Sequence, residues 1–319
     1  MKKKTKVLTM IASGMLVIGI VLAVIGLTAG AKFGITNTKD GFKVLGLEDQ
    51  IIEELPLPAF TKITSNLNDV DIEVIPSNEY RLKIERQEEI EINYKVDNDT
   101  LVIEESKQNV PLLFVNLTFT SIPDNVIKVY VPKKVKFSEI LINNQFGDVR
   151  LEGVSSDKIS IDSNDGDLIF NNVEANKLKI VNQYGDINGR NVTTEELVIV
   201  MNDADAEFDK LNAASTVLNN QFGDITFRNF SSKGLNIQSN DGDIAIHGLL
   251  FGTTSIRSNF GDVQVHLLNK ESEIDYSILN SFGDITVNNT DYEKHVINEG
   301  NGSHRLNITA KDGDVEVTF

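Results

Sequence analysis

From residue 140 onward a Gly-Asp pair returns at every nineteenth position, at Gly147, Gly166, Gly185, Gly223, Gly242 and Gly261, and Ala204-Asp205 fills the one missing place. Two further pairs, at Gly283 and Gly313, follow after longer steps of twenty-two and thirty. A fixed period of this length marks a chain that stacks one short supersecondary unit on the next. Apolar residues recur around each glycine. At −7 and −5 stand Ile140/Ile142, Ile159/Ile161, Leu178/Ile180, Leu197/Ile199, Leu235/Ile237 and Leu306/Ile308; at +2 and +4 stand Val149/Leu151, Leu168/Phe170, Ile225/Phe227, Ile244/Ile246, Val263/Val265, Ile285/Val287 and Val315/Val317. A third anchor falls at +7: Val154, Val173, Val192, Leu211, Phe230, Leu249 and Leu268.

Each unit therefore reads as two alternating strands with one buried face plus a further apolar anchor. The inward parity is odd before the glycine and even after it. That switch requires a bend at Gly-Asp, where glycine tolerates φ > 0. Three short faces in each repeat fit one triangular coil of an all-β parallel β-helix, a β-solenoid with ~19-residue repeats spaced by a strand-to-strand distance of roughly 4.8 Å. A flattened two-face coil of twice that length is the alternative. It draws on the residue before glycine, which alternates along the chain as Phe146, Asp165, Tyr184, Asp203, Phe222, Asp241, Phe260 until Phe282 breaks the pattern. At −3, in core parity, Asn144, Ser163, Asn182, Asn220, Ser239, Ser258 and Asn280 form an inward polar row read as structural, satisfying the turns.

The amino terminus has different chemistry. Residues 7–31 run without a charge, behind Lys2, Lys3, Lys4 and Lys6. About 20 helical residues cross a hydrocarbon core, so this segment reads as a transmembrane helix. Its lysines lie in the cytoplasm and the carboxy-terminal domain outside. Ala29-Gly30-Ala31 offers the alternative of a cleaved signal peptide. Gly26 and Gly30 make a G-x-x-x-G match, read here as ordinary small residues of a span. The organisation expected is a basic tail at 1–6, an anchor at 7–31, a juxtamembrane linker at 32–58 with turn chemistry at 37–41 and a short amphipathic helix at 47–55, an irregular β entry and capping region at 59–136, and regular repeats at 137–319.

Beyond residue 31 the chain has 26 basic and 47 acidic side chains, a net −21. That balance opposes nucleic acid, which binds cationic surfaces, and electrostatic docking on anionic lipid. No cysteine is present, which excludes disulfides, thiolate metal sites and a cysteine nucleophile. Asn164-Asp165-Gly166-Asp167 and Asn240-Asp241-Gly242-Asp243 match neither the EF-hand spacing nor the nonapeptide of calcium β-rolls, so no defined metal or cofactor site is expected. His247 and His266, one period apart, should stack as outward neighbours. The second aspartate of each pair is read as turn chemistry, bonding nearby backbone amides. The row Phe146, Tyr184, Phe222 and Phe260, with Asp165, Asp203 and Asp241 between, is a surface-binding track or a structural ladder; corner packing is the plainer account of the rings.

The iterated run L-x-I-x-[NS]-x-x-G-D-[IV]-x-[VI], with the Val129-Tyr130-Val131-Pro132 entry, resembles the bacterial "putative adhesin" family of uncharacterised domains, which includes LiaG-like membrane proteins of Firmicutes. The resemblance covers roughly residues 60–319. It implies an anchored extracytoplasmic β-solenoid of the cell envelope and supplies no catalytic residues. The functional expectation is a non-enzymatic adhesin, scaffold or envelope-stress interaction module, with envelope proteins or wall polymers as partners. The alternative is a polysaccharide-active β-helix enzyme, a lyase or glycoside hydrolase using paired carboxylates.

Overall fold

The computed structural model describes residues 2–28, 34–38, 41–45, 50–88, 90–106, 117–118 and 124–319. They form two compact units, 1–50 with 87–89 and 108–123, and 51–86 with 90–107 and 124–319. In the first unit the apolar amino-terminal segment is a helix, α1, over Lys2–Thr28. Met15, Leu16, Val17 and Ile18 are all exposed on it. Successive helical residues turn by about 100°, so these four span the whole circumference. Among the described residues, no helix is long and apolar enough to cross a membrane. The Ala29-Gly30-Ala31 sequence and Gly30 of the G-x-x-x-G match lie outside the described residues. Gly34–Thr38 pairs antiparallel with Gly41–Leu45 and with Leu117–Thr118; positions 39–40 of the expected turn also lie outside them.

The second unit is the solenoid. Its register makes one repeat one coil: Ile140 pairs with Ile159, Ile159 with Leu178, Leu178 with Leu197, all parallel. The doubled coil is thereby excluded. The −7/−5 and +2/+4 positions are buried as their alternation requires. The +7 anchors hold from Val154 to Phe230 and then slip. A register shift after Phe227 aligns Phe230 with Gly248 and Ser232 with Leu250. Leu250 and Leu267 therefore fill the core, while Leu268 is exposed. The linker expectation also fails in part: Gln50–Pro56 is a strand rather than the end of a helix. It pairs with Arg81–Gln87, and Glu53 and Glu54 bridge to Arg86 and Arg81. Those tertiary partners override a weak helical pattern.

At the Gly-Asp corner the need for glycine is mainly spatial. An ideal Cβ at Gly166, Gly185, Gly242 or Gly261 would lie 2.0–2.3 Å from the carbonyl oxygen of the corner below. Positive φ accompanies this only at Gly223, Gly242, Gly261 and Gly313. A second corner, at +6, turns through left-handed residues: Gly153, Asn172, Asn191, Lys210 and Asn229, with φ of 53–60°. Asparagine is the non-glycine residue that best tolerates this conformation.

The coils do not stack in chain order at either end. After the coil of Gly261, the neighbour in space is the carboxy-terminal one: Thr254 pairs with Leu306 and Val263 with Val315. The coil of Gly283 lies outside that, with Tyr276 against Leu306 and Ile285 against Val315. The amino-terminal end mirrors this. Lys62–Leu67 and Asp71–Ser77, earlier in the chain than either neighbour, are sandwiched between the Gly147 coil on one side and Thr100–Glu105 with Val126–Pro132 on the other. Antiparallel strands then cover both ends. Ile92–Asp97 and Arg81–Gln87 close one; His295–Asn298 and Thr290–Tyr292 close the other. This blunts the open parallel edges that a stacked ladder otherwise leaves.

Candidate functional site

The corner places two rows of side chains side by side along the solenoid. The first row is the aspartate at +1. Each Oδ1 accepts the backbone N–H of the aspartate in the next coil: Asp148 to Asp71 at 2.8 Å, Asp167 to Asp148 at 2.8 Å, Asp186 to Asp167 at 2.9 Å, and so on through Asp205, Asp224, Asp243 and Asp262. The row then crosses to Asp314 and ends at Asp284, at 2.8 and 2.9 Å. Ten carboxylates thus form one uninterrupted file. The sequence reading gave these aspartates to their own turns; the structure has each bond to the coil above. The reason is that the bend lifts this N–H out of the strand ladder, and the carboxylate below supplies the missing acceptor.

The second row is the residue before glycine. In spatial order it reads Asp69, Phe146, Asp165, Tyr184, Asp203, Phe222, Asp241, Phe260, Asp312, Phe282, following the stacking of each corner on the one below. The chain-order break at Phe282 disappears, because the interleaved coil brings Asp312 between Phe260 and Phe282. Acid and ring alternate without exception over ten coils. The rings face solvent: Phe146 is 51% exposed, Tyr184 52%, Phe222 47%, Phe260 44% and Phe282 78%. The aspartates between them are exposed as well. The Lys311 ammonium lies 5.7 Å from the centre of the Phe260 ring.

The buried −3 row supports the ridge from within. Asn144 Nδ2 donates to the carbonyls of Val70 and Gly147 at 2.9 and 2.8 Å. Asn220 Nδ2 donates to that of Gly223 at 2.6 Å, and Asn280 Nδ2 to that of Gly313 at 2.8 Å. The structural reading of these asparagines agrees with this geometry. At the amino-terminal end of the file the carboxyls are perturbed. Burial, and then the charges of Asp148, Asp124 and Glu73, raise Asp71 to about 6 against the opposing hydrogen bond from Asp148. Burial followed by Glu105 and Asp124 raises Asp69.

His247 and His266 stack as expected, with ring centres 5.0 Å apart. With Arg228, Gln264, Glu316 and Thr318 they line an open groove of about 510 Å³. Among the described residues, no group of three or more His, Asp or Glu side chains is arranged to hold a metal ion. Sequence reasoning missed the +6 asparagines and the small inward row Ser156, Ala175, Thr194, Ala213 and Ser232. Both recur with the same period as the Gly-Asp pair, and that recurrence is the signal that could have found them.

No curated protein matches the chain. Among solved structures, a "putative lipid binding protein" from Parabacteroides distasonis shares the fold, with a TM-score of 0.53 at 12% identity, over 84% of this chain and 96% of that one. A "putative adhesin" from Parabacteroides merdae aligns over 84% of this chain and 96% of its own, at 11% identity and a TM-score of 0.43. The Toastrack DUF4097 family profile matches residues 60–318, from the first buried aromatic of the solenoid almost to its last residue, and the chain belongs to that family.

Proposed function

We propose that the chain is a non-enzymatic surface-interaction module of the bacterial envelope, held at the membrane by the uncharged stretch 7–31 with its solenoid outside the cell. The observation that carries this reading is that the chemistry-bearing side chains come as ladders. An enzyme needs one constellation unlike its surroundings, whereas here the carboxylates recur at the same place in coil after coil. An unbroken, laddered face is what an extended partner can lie along. The anchor reading rests on the absence of charge over 7–31 and on the exposed apolar side chains that surround the helix at Met15–Ile18, the pattern of a helix immersed in lipid rather than packed on a core. At 1.5 Å per helical residue, the uncharged stretch rises on the order of 35 Å, enough for a hydrocarbon core of roughly 30 Å. Lys2, Lys3, Lys4 and Lys6, ahead of that stretch, favour the cytoplasm for that end. Kinship with LiaG-like proteins and a part in envelope-stress responses belong to the same proposal.

Fractionation tests it directly. The full chain is expected in the membrane fraction after a high-salt wash, and protease added to intact protoplasts should digest the solenoid. Recovery in the soluble fraction, or protection until the cells are lysed, would overturn the placement. Incubation with purified wall polysaccharide should release no new reducing ends or unsaturated sugars; release would establish the lyase or hydrolase alternative instead.

A further inference from the structure

We infer that the acid–aromatic ridge is a docking track for an extended cationic polypeptide, one carrying arginine or lysine at about every third residue. The inference rests on the proposed function only in placing the ridge where such a chain can reach it.

The ordering of the ridge is the central observation. The chain visits its coils out of order at both ends, yet the residues before glycine follow the spatial order. Asp69 and Asp312 belong to the two interleaved coils, and each takes the place that alternation in space demands. In chain order the pattern fails at Phe282; on the surface it does not fail at all. The regularity therefore belongs to the assembled face. Each ring has an aspartate in the coil above or below, and the unbroken aspartate file runs beside it. An exposed ring with carboxylates in the adjoining coils suits a guanidinium or ammonium group, held by the ring quadrupole and by charge together. The molecule supplies its own instance, the Lys311 ammonium over Phe260. The net −21 beyond residue 31 points to the same sign of partner. Rings recur every second coil, roughly 9.6 Å apart. A polyproline chain advances about 9.3 Å in three residues and returns every third side chain to the same face, so basic groups three apart fall on successive rings.

The test uses the full chain in nanodiscs at 150 mM salt and two fluorescein-labelled peptides of identical composition. One is (Arg-Gly-Ser)5; the other has its five arginines contiguous, followed by (Gly-Ser)5. The spaced peptide should bind about fivefold more tightly, and the triple change Tyr184→Ala, Phe222→Ala, Phe260→Ala should weaken it about tenfold. Asp165→Asn, Asp203→Asn, Asp241→Asn should weaken binding well beyond Glu152→Gln, Glu174→Gln, Glu195→Gln, which removes the same charge elsewhere. Phe222→Trp keeps a ring and gives a chain with no other tryptophan a single reporter, whose emission should change on binding even if an alanine variant is unstable. Equal affinity for both peptides, with no dependence on the rings, would reduce the effect to bulk charge and overturn the proposal. Ring-dependent binding of a neutral β-1,4-N-acetylglucosamine oligomer, with none of the arginine peptide, would overturn it in favour of a glycan track. Either failure leaves the membrane placement of the module untouched.

Discussion

A methyl group added at Gly185 would lie 2.0 Å from the carbonyl oxygen of Gly166, whereas one added at Gly234 would find nothing nearer than 4.0 Å. Gly185→Ala should therefore cost roughly 2 kcal/mol or more, because neighbouring coil backbones cannot part without breaking ladder bonds. Gly234→Ala should be neutral or stabilise by up to about 1 kcal/mol through the unfolded chain. Urea denaturation of the two variants checks both. Asp71 gives a prediction with a definite sign. Its folded pKa, about 6, lies above the ordinary 3.8, so the folded state binds the proton more tightly. The contribution is full below about pH 4 and is lost as pH rises through 6. Asp71→Asn keeps an acceptor for the Asp148 amide and removes the charge. It should raise the melting temperature at pH 7.5, by the equivalent of no more than about 1 kcal/mol once solvent screening is allowed for, and the gain should vanish near pH 4. A gain that is flat across this range would refute the assignment.

Within a single coil, the sequence was legible wherever one face is wholly buried. The alternation at −7/−5 and +2/+4 set the inward positions, because a slip of one residue would expose the whole set. The inward asparagines were legible for a related reason, since a polar residue in core parity needs a partner. Asn144→Ala should strip the amide from the carbonyls of Val70 and Gly147 and cost about 1–3 kcal/mol. Its readout is the thermal stability of the amino-terminal coils; an unchanged midpoint would mean that another donor replaces the amide. The strand Gln50–Pro56 was not legible. Ile51, Ile52 and Leu55 suit one side of a short helix, and only the pairing with Arg81–Gln87 decides otherwise. The +7 slip at Leu249 was hidden for the same kind of reason, because a bulge is chosen by the neighbouring coil and leaves no local mark. Of the candidate site, the residues of the ridge could be read from the repeat, whereas their solvent exposure could not.

For the whole molecule, the repeat disclosed the architecture but not the order of its parts. The lengthened steps to Gly283 and Gly313 look like insertions in the last coils, and nothing in them says that the carboxy-terminal strands sit inside the Gly283 coil. Deleting 304–319 thus removes a penultimate layer and leaves Ile274–Asn280 and Ile285–Val287 without their parallel partners. Hydrogen exchange should show both strands losing protection together, while coils before residue 240 keep theirs. Retained protection in both strands would contradict the interleaving. This arrangement also has a consequence for biogenesis. A plain solenoid can be completed one layer at a time as the polypeptide emerges. Here the far end waits for a keystone, because residues 304–318 must slot between layers translated before them, and the Gly283 coil gains its parallel partners only once that segment has emerged.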